Sequence, residues 1–506
     1  MHLGGLHVFS ANDKASASFE TFKAHVANRV AAIPILNQRL VMLPLDMDSP
    51  YLVDDPDFCL SAHVSQIGVP EPGTQNALFQ LAADIFRKPL DRTRPMWELI
   101  FVNNIQDINA PGRYNFAVIS RIHHAIIDAH AGEELISKLL DFSPQAPSKK
   151  VAYSNKTASS LPTGMELLFR SYGSAFRRPH KLAILLAKAS GTGAKILAKR
   201  AAGNLNKLAY GKRAPASQFE RELSDDRCFS AVSIKLSDIK NCRSLVPNAT
   251  LHDIILSCIA DGLYTYLQAN KSVPMESLVA LSPISIKRSL SKSQLSGLRQ
   301  SANSVEAMLV NLAAQKLTLI ERIKTIQTAN AQAKAITQAT KIKQLTEFVP
   351  SIYLSLAAKL YTRWHISSQH NSMFNMVISN VPGPQIPMYC GKAKLVENYG
   401  STPIFNGMGL SISALSYDGK LTVAVTSCLS ILPTPHQLTE YIAQAFADLV
   451  ALNKPKKPSK KSNIKSTLPT KTSKASASKA SKASKASKNT VTKKVASTAK
   501  SNDSMV

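Results

Sequence analysis

Apolar and polar residues alternate along the chain with two periods, one typical of strands and one typical of helices. Between residues 114 and 122, Phe116, Val118 and Ile122 alternate with smaller or polar residues, which predicts a buried strand. From His130 to Leu140, apolar residues recur at helical spacing instead, which predicts a helix. The chain therefore passes from a strand to a helix within about a dozen residues.

The same two periods recur in both halves of the chain. Helices are also predicted over residues 76–86, 250–268 and 313–344, and strands over residues 96–102, 278–281, 373–378 and 421–427. This mixture indicates two similar halves, each built from strands and helices.

Two adjacent histidines and an aspartate follow the strand that ends near Ile122. They are His123, His124 and Asp128, in a chain with 12 histidines. Side chains at strand ends face clefts on a rigid base, where catalytic groups tend to lie, and a neutral imidazole can accept a hydroxyl proton. Core or surface histidines without a role are the alternative for such a pair, but the spacing and the position favour catalysis.

Adjacent residues at the end of a strand point to opposite faces. His123 and His124 therefore cannot both enter one cleft. We expect one to be the general base and the other to be structural.

Composition limits the classes of protein that fit. With 506 residues and 44% hydrophobic content, the chain can form two or three domains with a sizeable core. Its six cysteines lack metal-site spacing, which predicts a reducing cytoplasm and no metal. Neither a secretory signal nor an apolar run long enough to span a membrane is evident.

Positive charge is concentrated at the C-terminus. From Lys454 onward the chain holds 15 lysines and one acid, Asp503, which is about half of the net charge of +28. Such a segment cannot bury enough apolar surface to fold, so residues 454–506 are predicted to form a disordered basic tail. The tail is either a solvated solubility aid or a polycation that binds anionic lipid or nucleic acid.

A second basic segment is amphipathic. Between Met165 and Arg213, lysines and arginines alternate with leucines and isoleucines, and Glu166 is the one acid. This pattern is typical of helices that lie on a membrane surface, and also of interdomain helices packed on a core. Residues 151–215 are therefore predicted to link an N-terminal domain, 1–150, to a C-terminal domain, 216–453.

Several motifs resemble one enzyme family. His123–Ala129 resembles the HHxxxDG motif of the two-domain, CoA-dependent acyltransferases, and Pro89–Glu98 resembles the PLDRxRPLWE segment of the bacterial wax ester synthase/diacylglycerol acyltransferases. Ser379–Pro384 is similar to their NVPGP segment, and Ser416–Gly419 to their SYxG hairpin. The resemblance runs from Met1 to about Leu452.

The resemblance implies a fold and a reaction. The fold has two chloramphenicol-acetyltransferase-like α/β domains with a tunnel between them, and the histidine motif lies at the middle of the tunnel. The reaction moves a long-chain acyl group from acyl-CoA to a fatty alcohol, diacylglycerol or both. It needs no metal and no cofactor, because acyl-CoA is a co-substrate.

The resemblance also assigns roles to residues. His124 would be the general base, His123 would support its placement, and Asp128 would hold the loop through an arginine. The residues expected to shape the substrate channel are Pro89, Leu90, Trp97, Asn380, Pro382 and Gly383. The alternative for Pro89–Trp97 is a packed strand with a buried Trp97, and Asn380–Pro384 is expected to form a rigid turn.

The sequence departs from the family pattern in four places. Ala129 replaces the motif glycine, His252–Asp253 stands where the family has Asn-Asp, and Ala302–Asn303 where it has Gly-Asn. In the family, a dozen or more residues precede the segment that Met1–Val8 resembles.

Two alternatives remain. An enzyme of the same superfamily could take its acyl group from a carrier protein, and a non-catalytic protein could bind lipid or nucleic acid through its basic segments. The acyl-CoA hypothesis predicts a cytoplasmic enzyme that associates peripherally with the inner membrane or lipid inclusions.

Overall fold

The computed structural model of the protein describes residues 2–42, 50–106, 114–126, 135–144, 214–285, 305–340 and 373–453. The chain divides into two compact units, Met1–Pro455 and Lys456–Val506. The predicted basic tail, the linker up to residue 213 and Asp128 lie outside the described residues. The fold below is that of the first unit.

The described part contains strands and α-helices in similar amounts. The strands are β1 His2–Ala11, β2 Gln38–Val41, β3 Tyr51–Asp54, β4 Val64–Gly68, β5 Trp97–Asn103, β6 Tyr114–His123, β7 Arg227–Lys235, β8 Val279–Ser285, β9 Val305–Asn311, β10 Met376–Pro382, β11 Tyr389–Cys390, β12 Ala393–Ser401, β13 Ser411–Tyr417 and β14 Lys420–Cys428. The helices are α1 Phe19–Val30, α2 Gln75–Arg87, α3 Leu236–Asn241, α4 Leu251–Ala269, α5 Leu319–Thr340 and α6 Pro435–Asn453.

Two six-stranded mixed sheets form the framework. The first has the order β11-β12-β1-β6-β5-β4, and the second has the order β7-β14-β13-β10-β8-β9. In the first sheet β4 and β5 are parallel, and in the second β10 is parallel to both β13 and β8. A separate two-stranded ribbon joins β2 to β3.

Strand β12 connects the two sheets. It pairs antiparallel with β1 in the first sheet, and its backbone and side chains also contact the second. The Thr422 hydroxyl of β14 donates to the Asn398 carbonyl at 2.7 Å, and the Ser401 and Thr426 hydroxyls are 2.9 Å apart. A hydrophobic cluster containing Tyr399 continues this contact. The sheets therefore share one interface, with β12 at its centre.

The cross-over of β12 changes the predicted domain division. Residues 216–453 were expected to form the C-terminal domain, yet residues 389–401 pair within the first sheet. The hydrophobic pattern of a strand does not specify its partner, because pairing is set by long-range packing. The boundaries at residues 150 and 216 stay a prediction.

Most local predictions are confirmed. Helix α4 begins after Thr250, whose hydroxyl accepts from the Asp253 N–H, while the Asp253 carboxylate accepts from the Thr250 N–H in a reciprocal cap. The SYxG segment forms the tight β13–β14 hairpin, with Asp418 and Gly419 at positive φ of 42° and 78°.

Two local predictions are wrong. The helix expected from residue 313 starts at Leu319, because Thr318 caps it and Ala313 has a positive φ of 47°. Residues 380–382, expected to be part of a turn, are the end of β10, and the chain leaves the strand at Gly383. Pro382 is tolerated as the last residue of this strand because a terminal position can lack a ladder N–H.

Helices α4 and α6 pack closely through a glycine. A Cβ at Gly262 would lie 2.7 Å from both the backbone nitrogen and the Cα of Ile442. Close backbone contact of this kind leaves no room for a methyl group.

We expect Gly262→Ala to destabilise the protein by about 1–3 kcal/mol, because the added methyl group meets the backbone of α6. Alanine is the better helix former by about 1 kcal/mol, so a net loss isolates the steric term. Urea unfolding followed by circular dichroism measures the change. Gly68→Ala is the control, since its methyl group would meet only the Asn103 side-chain oxygen, at 3.0 Å. A stabilised Gly262→Ala protein would contradict the close packing.

Candidate active site

The histidine pair lies where β6 ends, beside the start of the chain. His123 is the last residue of β6 and is opposite His2 of β1 in the register. Its N–H donates to the Met96 carbonyl at 3.0 Å, and its Nδ1 accepts from the Ala125 N–H at 3.1 Å. His123 is half-buried and structurally engaged, whereas His124 is exposed in the turn that follows.

Burial and nearby positive groups disfavour protonation of His123. Burial lowers its pKa to about 4, and the N-terminal amino group, Arg92 and His124 act in the same direction. His123 is therefore a neutral hydrogen-bond acceptor for the turn at physiological pH.

The two histidines differ in their local structure. Ser120 and Ile122 of β6 face a cavity, while Arg121 points to the other side, where it pairs with Glu98 and the Lys88 carbonyl. The strand ends at His123, and His124 lies in a turn closed by the Ile126 N–H, which donates to the His123 carbonyl at 3.0 Å. A position for His124 in the cavity stays a prediction.

The cavity lies between the two sheets and has a volume of about 60 Å³. It is bounded by β1, β6 and β12 of the first sheet and by β10 and β13 of the second. The residues that line it are Leu3, Gly4, Gly5, His7, Ser120, Ile122, Ile136, Val381, Asn398, Tyr399, Gly400, Ser401, Thr402, Ser413 and Leu415. For comparison, a cavity of about 150 Å³ binds benzene, so this one is smaller than a benzene site.

Three buried polar side chains form a connected group on the cavity wall. The Nδ1 atom of His7 is 2.8 Å from Asn398 Oδ1, and its Nε2 atom is 2.8 Å from Ser120 Oγ. Burial lowers the pKa of His7 to about 4, although the hydrogen bond that His7 donates to Asn398 opposes the shift. His7 is therefore neutral at physiological pH.

The Pro89–Trp97 segment lies beside the histidine pair and outside the cavity lining. Pro89 is exposed, whereas Leu90 and Trp97 are buried in the core of the first sheet. The Trp97 indole N–H donates to the Leu36 carbonyl at 2.7 Å, and its ring stacks on His63 with centroids 4.6 Å apart. These contacts are those of a packed strand, and a role in substrate binding stays a prediction.

The Asn380–Gly383 segment reaches the cavity through a different residue from those predicted. Val381 lines the cavity, while the Asn380 amide donates to His252 Nδ1 at 3.1 Å. Pro382 is exposed, and the Gly383 N–H donates to the Ser416 carbonyl at 2.9 Å. A substrate-binding role for these three residues stays a prediction.

Sequence inspection missed the residues that form the polar group. His7, Ser120 and Asn398 are far apart in sequence and meet only because β6 and β12 flank β1. Their strands also carry other polar residues, such as Arg121 and Glu397, so no signal in the sequence marks these three. Among the described residues, no group of three His, Cys, Asp or Glu side chains could hold a metal ion.

Comparison with known proteins identifies the family. The model of the wax ester synthase/diacylglycerol acyltransferase catalytic domain matches residues 1–254, and that of the WS/DGAT C-terminal domain matches residues 301–450. The chain belongs to the wax ester synthase/diacylglycerol acyltransferase family. It is therefore an acyltransferase, as the resemblance implied.

Curated relatives of this family align along most of the chain. A probable diacylglycerol O-acyltransferase of Mycobacterium tuberculosis is 28% identical over 441 residues, covering 86% of this chain and 89% of its own. The O-acyltransferase WSD of Acinetobacter baylyi is 26% identical over 452 residues, covering 88% and 92%.

A solved member of the family has the same fold. The wax ester synthase/diacylglycerol acyltransferase from Marinobacter aquaeolei VT8 matches with a TM-score of 0.59 and 22% identity, covering 90% of this chain and 95% of that one. The two-domain α/β fold expected from the resemblance is confirmed.

The buried His7 predicts how the acyltransferase loses stability in acid. Its pKa is about 4 in the folded protein, against an ordinary value of 6.5. As the pH falls from about 6.5 to about 4, the unfolded chain takes up a proton that folded His7 does not, so the stability contributed by neutral His7 is lost.

We therefore expect His7→Gln to reduce the slope of stability against pH in this window, measured as the thermal unfolding midpoint between pH 7 and pH 4.5. His436→Gln removes an exposed histidine of α6 and serves as the control. An unchanged slope for His7→Gln would show that folding does not lower the pKa of His7.

Proposed function

We propose that the protein transfers a long-chain fatty acyl group from acyl-CoA to the hydroxyl of a fatty alcohol, a diacylglycerol or both, with His124 as the general base. One observation carries the proposal. Ser120 and Ile122 of β6 line the cavity between the sheets, and His124 is exposed in the turn that directly follows this strand. The names of the relatives supply the substrate classes.

The chemistry needs one imidazole. The His124 imidazole accepts the proton of the acceptor hydroxyl while the hydroxyl oxygen attacks the thioester carbonyl. As the carbon–sulfur bond breaks, the imidazolium returns the proton to the CoA thiolate, so the base is regenerated. The transfer is direct, without an acyl-enzyme, a metal or a cofactor.

The neighbours of His124 position it. His123 holds the turn because its Nδ1 accepts the Ala125 N–H, and its lowered pKa keeps this nitrogen available as an acceptor. Asp128, which lies outside the described residues, is proposed to hold the loop through an arginine. The segment that contains Pro89, Leu90 and Trp97 supports the strand that carries the motif. Met96, in the same segment, accepts the His123 N–H with its carbonyl.

The cavity is proposed to belong to the tunnel in which the lipid chains lie. Val381 of β10 lines the cavity. Its neighbours Asn380, Pro382 and Gly383 are proposed to set the width of the tunnel on the side of the second sheet. The width of this passage decides between a single-chain alcohol and a diacylglycerol.

We expect His124→Ala to lower kcat by about 100- to 10,000-fold, because general-base assistance is lost. CoA release from palmitoyl-CoA is measured with hexadecanol or dipalmitoylglycerol as acceptor. His123→Ala is the matched control, and it should lower kcat less because its role is to hold the turn.

Each result has a distinct meaning. Acceptor-dependent turnover that collapses only in His124→Ala supports the proposal and identifies the acceptor. A larger loss in His123→Ala would exchange the roles of the two histidines. If there is no turnover with free acyl-CoA but turnover with an acyl carrier protein, the acyl donor is the carrier protein and not acyl-CoA.

We also propose that the enzyme works at an anionic lipid surface, to which the basic segments 151–215 and 454–506 attach it. Lysine near such a surface contributes about 1 kcal/mol of binding per residue, and the tail has 15 lysines. In the part of the chain that the structure describes, none of the helices has the length and apolar character needed to cross a bilayer.

A chain that ends at Asn453 should therefore bind phosphatidylserine vesicles more weakly than the full chain in low salt, measured by co-sedimentation. Neutral phosphatidylcholine vesicles are the control, and CoA release in detergent should be the same for both chains. Equal vesicle binding by both chains, or binding of the tail to DNA in preference to vesicles, would contradict the proposal.

A further inference from the structure

The connected polar group on the cavity wall has no part in the proposed reaction. His7, Ser120 and Asn398 are 4%, 4% and 1% exposed, and all three line the cavity between the sheets. Polar groups are costly to bury beside an apolar passage unless they have partners, so a polar group at this position calls for a physical reason.

The local backbone is shaped to hold this group. His7 and Asn398 are opposite each other in the β1–β12 register, and Ser120 is opposite Gly5 in the β1–β6 register. A Cβ at Gly5 would lie 2.6 Å from His7 Nε2 and 2.7 Å from Ser120 Oγ. The missing side chain at Gly5 therefore leaves the space in which the imidazole and the hydroxyl meet.

The hydrogen bonds within this group determine which donor and acceptor sites remain for a ligand. Because Asn398 Oδ1 is an acceptor, His7 Nδ1 carries the proton, and Nε2 accepts the hydroxyl proton of Ser120. The Ser120 hydroxyl already donates its proton to His7 Nε2, but its oxygen still has lone pairs that can accept a hydrogen bond. It can accept a hydrogen bond from a ligand and cannot donate one, which selects a hydroxyl over an ester or ketone carbonyl.

The position of Ser120 excludes the reacting hydroxyl. Ser120 precedes His123, the last residue of β6, by three residues, which corresponds to about 10 Å along a strand, and His124 follows in the turn. That distance is roughly eight methylene groups of an extended chain, given carbon–carbon bonds of about 1.5 Å. A hydroxyl at Ser120 therefore belongs to the middle of a lipid chain whose head is at His124.

We propose that Ser120, oriented by His7 and Asn398, is a binding site for a mid-chain hydroxyl, so that the enzyme selects hydroxylated long-chain acyl groups over saturated ones. The inference rests on the proposed function, because it requires the acyl chain to lie in the cavity. A saturated chain presents methylene groups to the Ser120 oxygen, whereas a hydroxylated chain donates a hydrogen bond to it.

The test compares acyl-CoA donors with the full-length protein and hexadecanol as acceptor. We expect kcat/KM for 10-hydroxystearoyl-CoA to exceed that for stearoyl-CoA by roughly five- to tenfold, the effect of one net hydrogen bond. 2-Hydroxystearoyl-CoA, whose hydroxyl lies near the thioester, should show no such advantage. Ser120→Ala should bring the 10-hydroxystearoyl ratio close to one, and Ser120→Thr, which keeps a hydroxyl, should restore it.

Ser230→Ala is the matched control. Ser230 is a buried strand serine bonded to Thr439 at 2.8 Å, and it is absent from the cavity lining. The control variant should keep the wild-type ratio.

Other outcomes overturn the inference. A wild-type ratio near one, with both donors consumed, would refute the hydroxyl site and leave the acyltransferase intact. If the ratio falls equally in Ser230→Ala, the preference for the hydroxylated donor arises from general packing and not from Ser120. An acyl group found on Ser120 by mass spectrometry would make it a nucleophile, and a lack of turnover with every acyl-CoA would refute the proposed function and this inference with it.

Discussion

The structure depends on the pairing of β12 with β1. Residues 393–401 come from the second half of the chain, yet they complete the first sheet and pack against β13 and β14 of the second sheet. This arrangement brings the faces of two separate sheets to one boundary, where Asn398 from late in the chain meets His7 from its start. Without this pairing there would be two sheets and no shared cavity.

The site follows from this arrangement. Strand β1 lies between β12 and β6, and Ser120 and Ile122 of β6 still line the cavity at the interface with the second sheet. The side chains of β6 alternate between that interface and the opposite face, where Arg121 is held by Glu98. The proposed division of roles, with His124 as the base and His123 holding the turn, falls at the end of this strand, where His123 is half-buried and His124 is exposed.

The sequence was sufficient to predict the structure wherever the interactions that determine it are local. The cap of Thr250 on α4, the Asp418–Gly419 turn and the strand before His123 each depend on neighbouring residues, and each was predicted. The motifs also identified the family. The cross-over of β12 and the meeting of His7, Ser120 and Asn398 were not predictable, because their contacts join residues more than a hundred positions apart and depend on tertiary packing.

Strand β12 is synthesised late, and this order affects how the protein folds during synthesis. While the ribosome synthesises the first several hundred residues, β1 can pair with β6 but has no partner along its other edge, because residues 393–401 do not yet exist. A free strand edge of this length, His2–Ala11, is a template for pairing with another chain. Contacts of such sequence separation also form slowly. The nascent N-terminal half is therefore expected to depend on chaperones until nearly four-fifths of the chain has been synthesised.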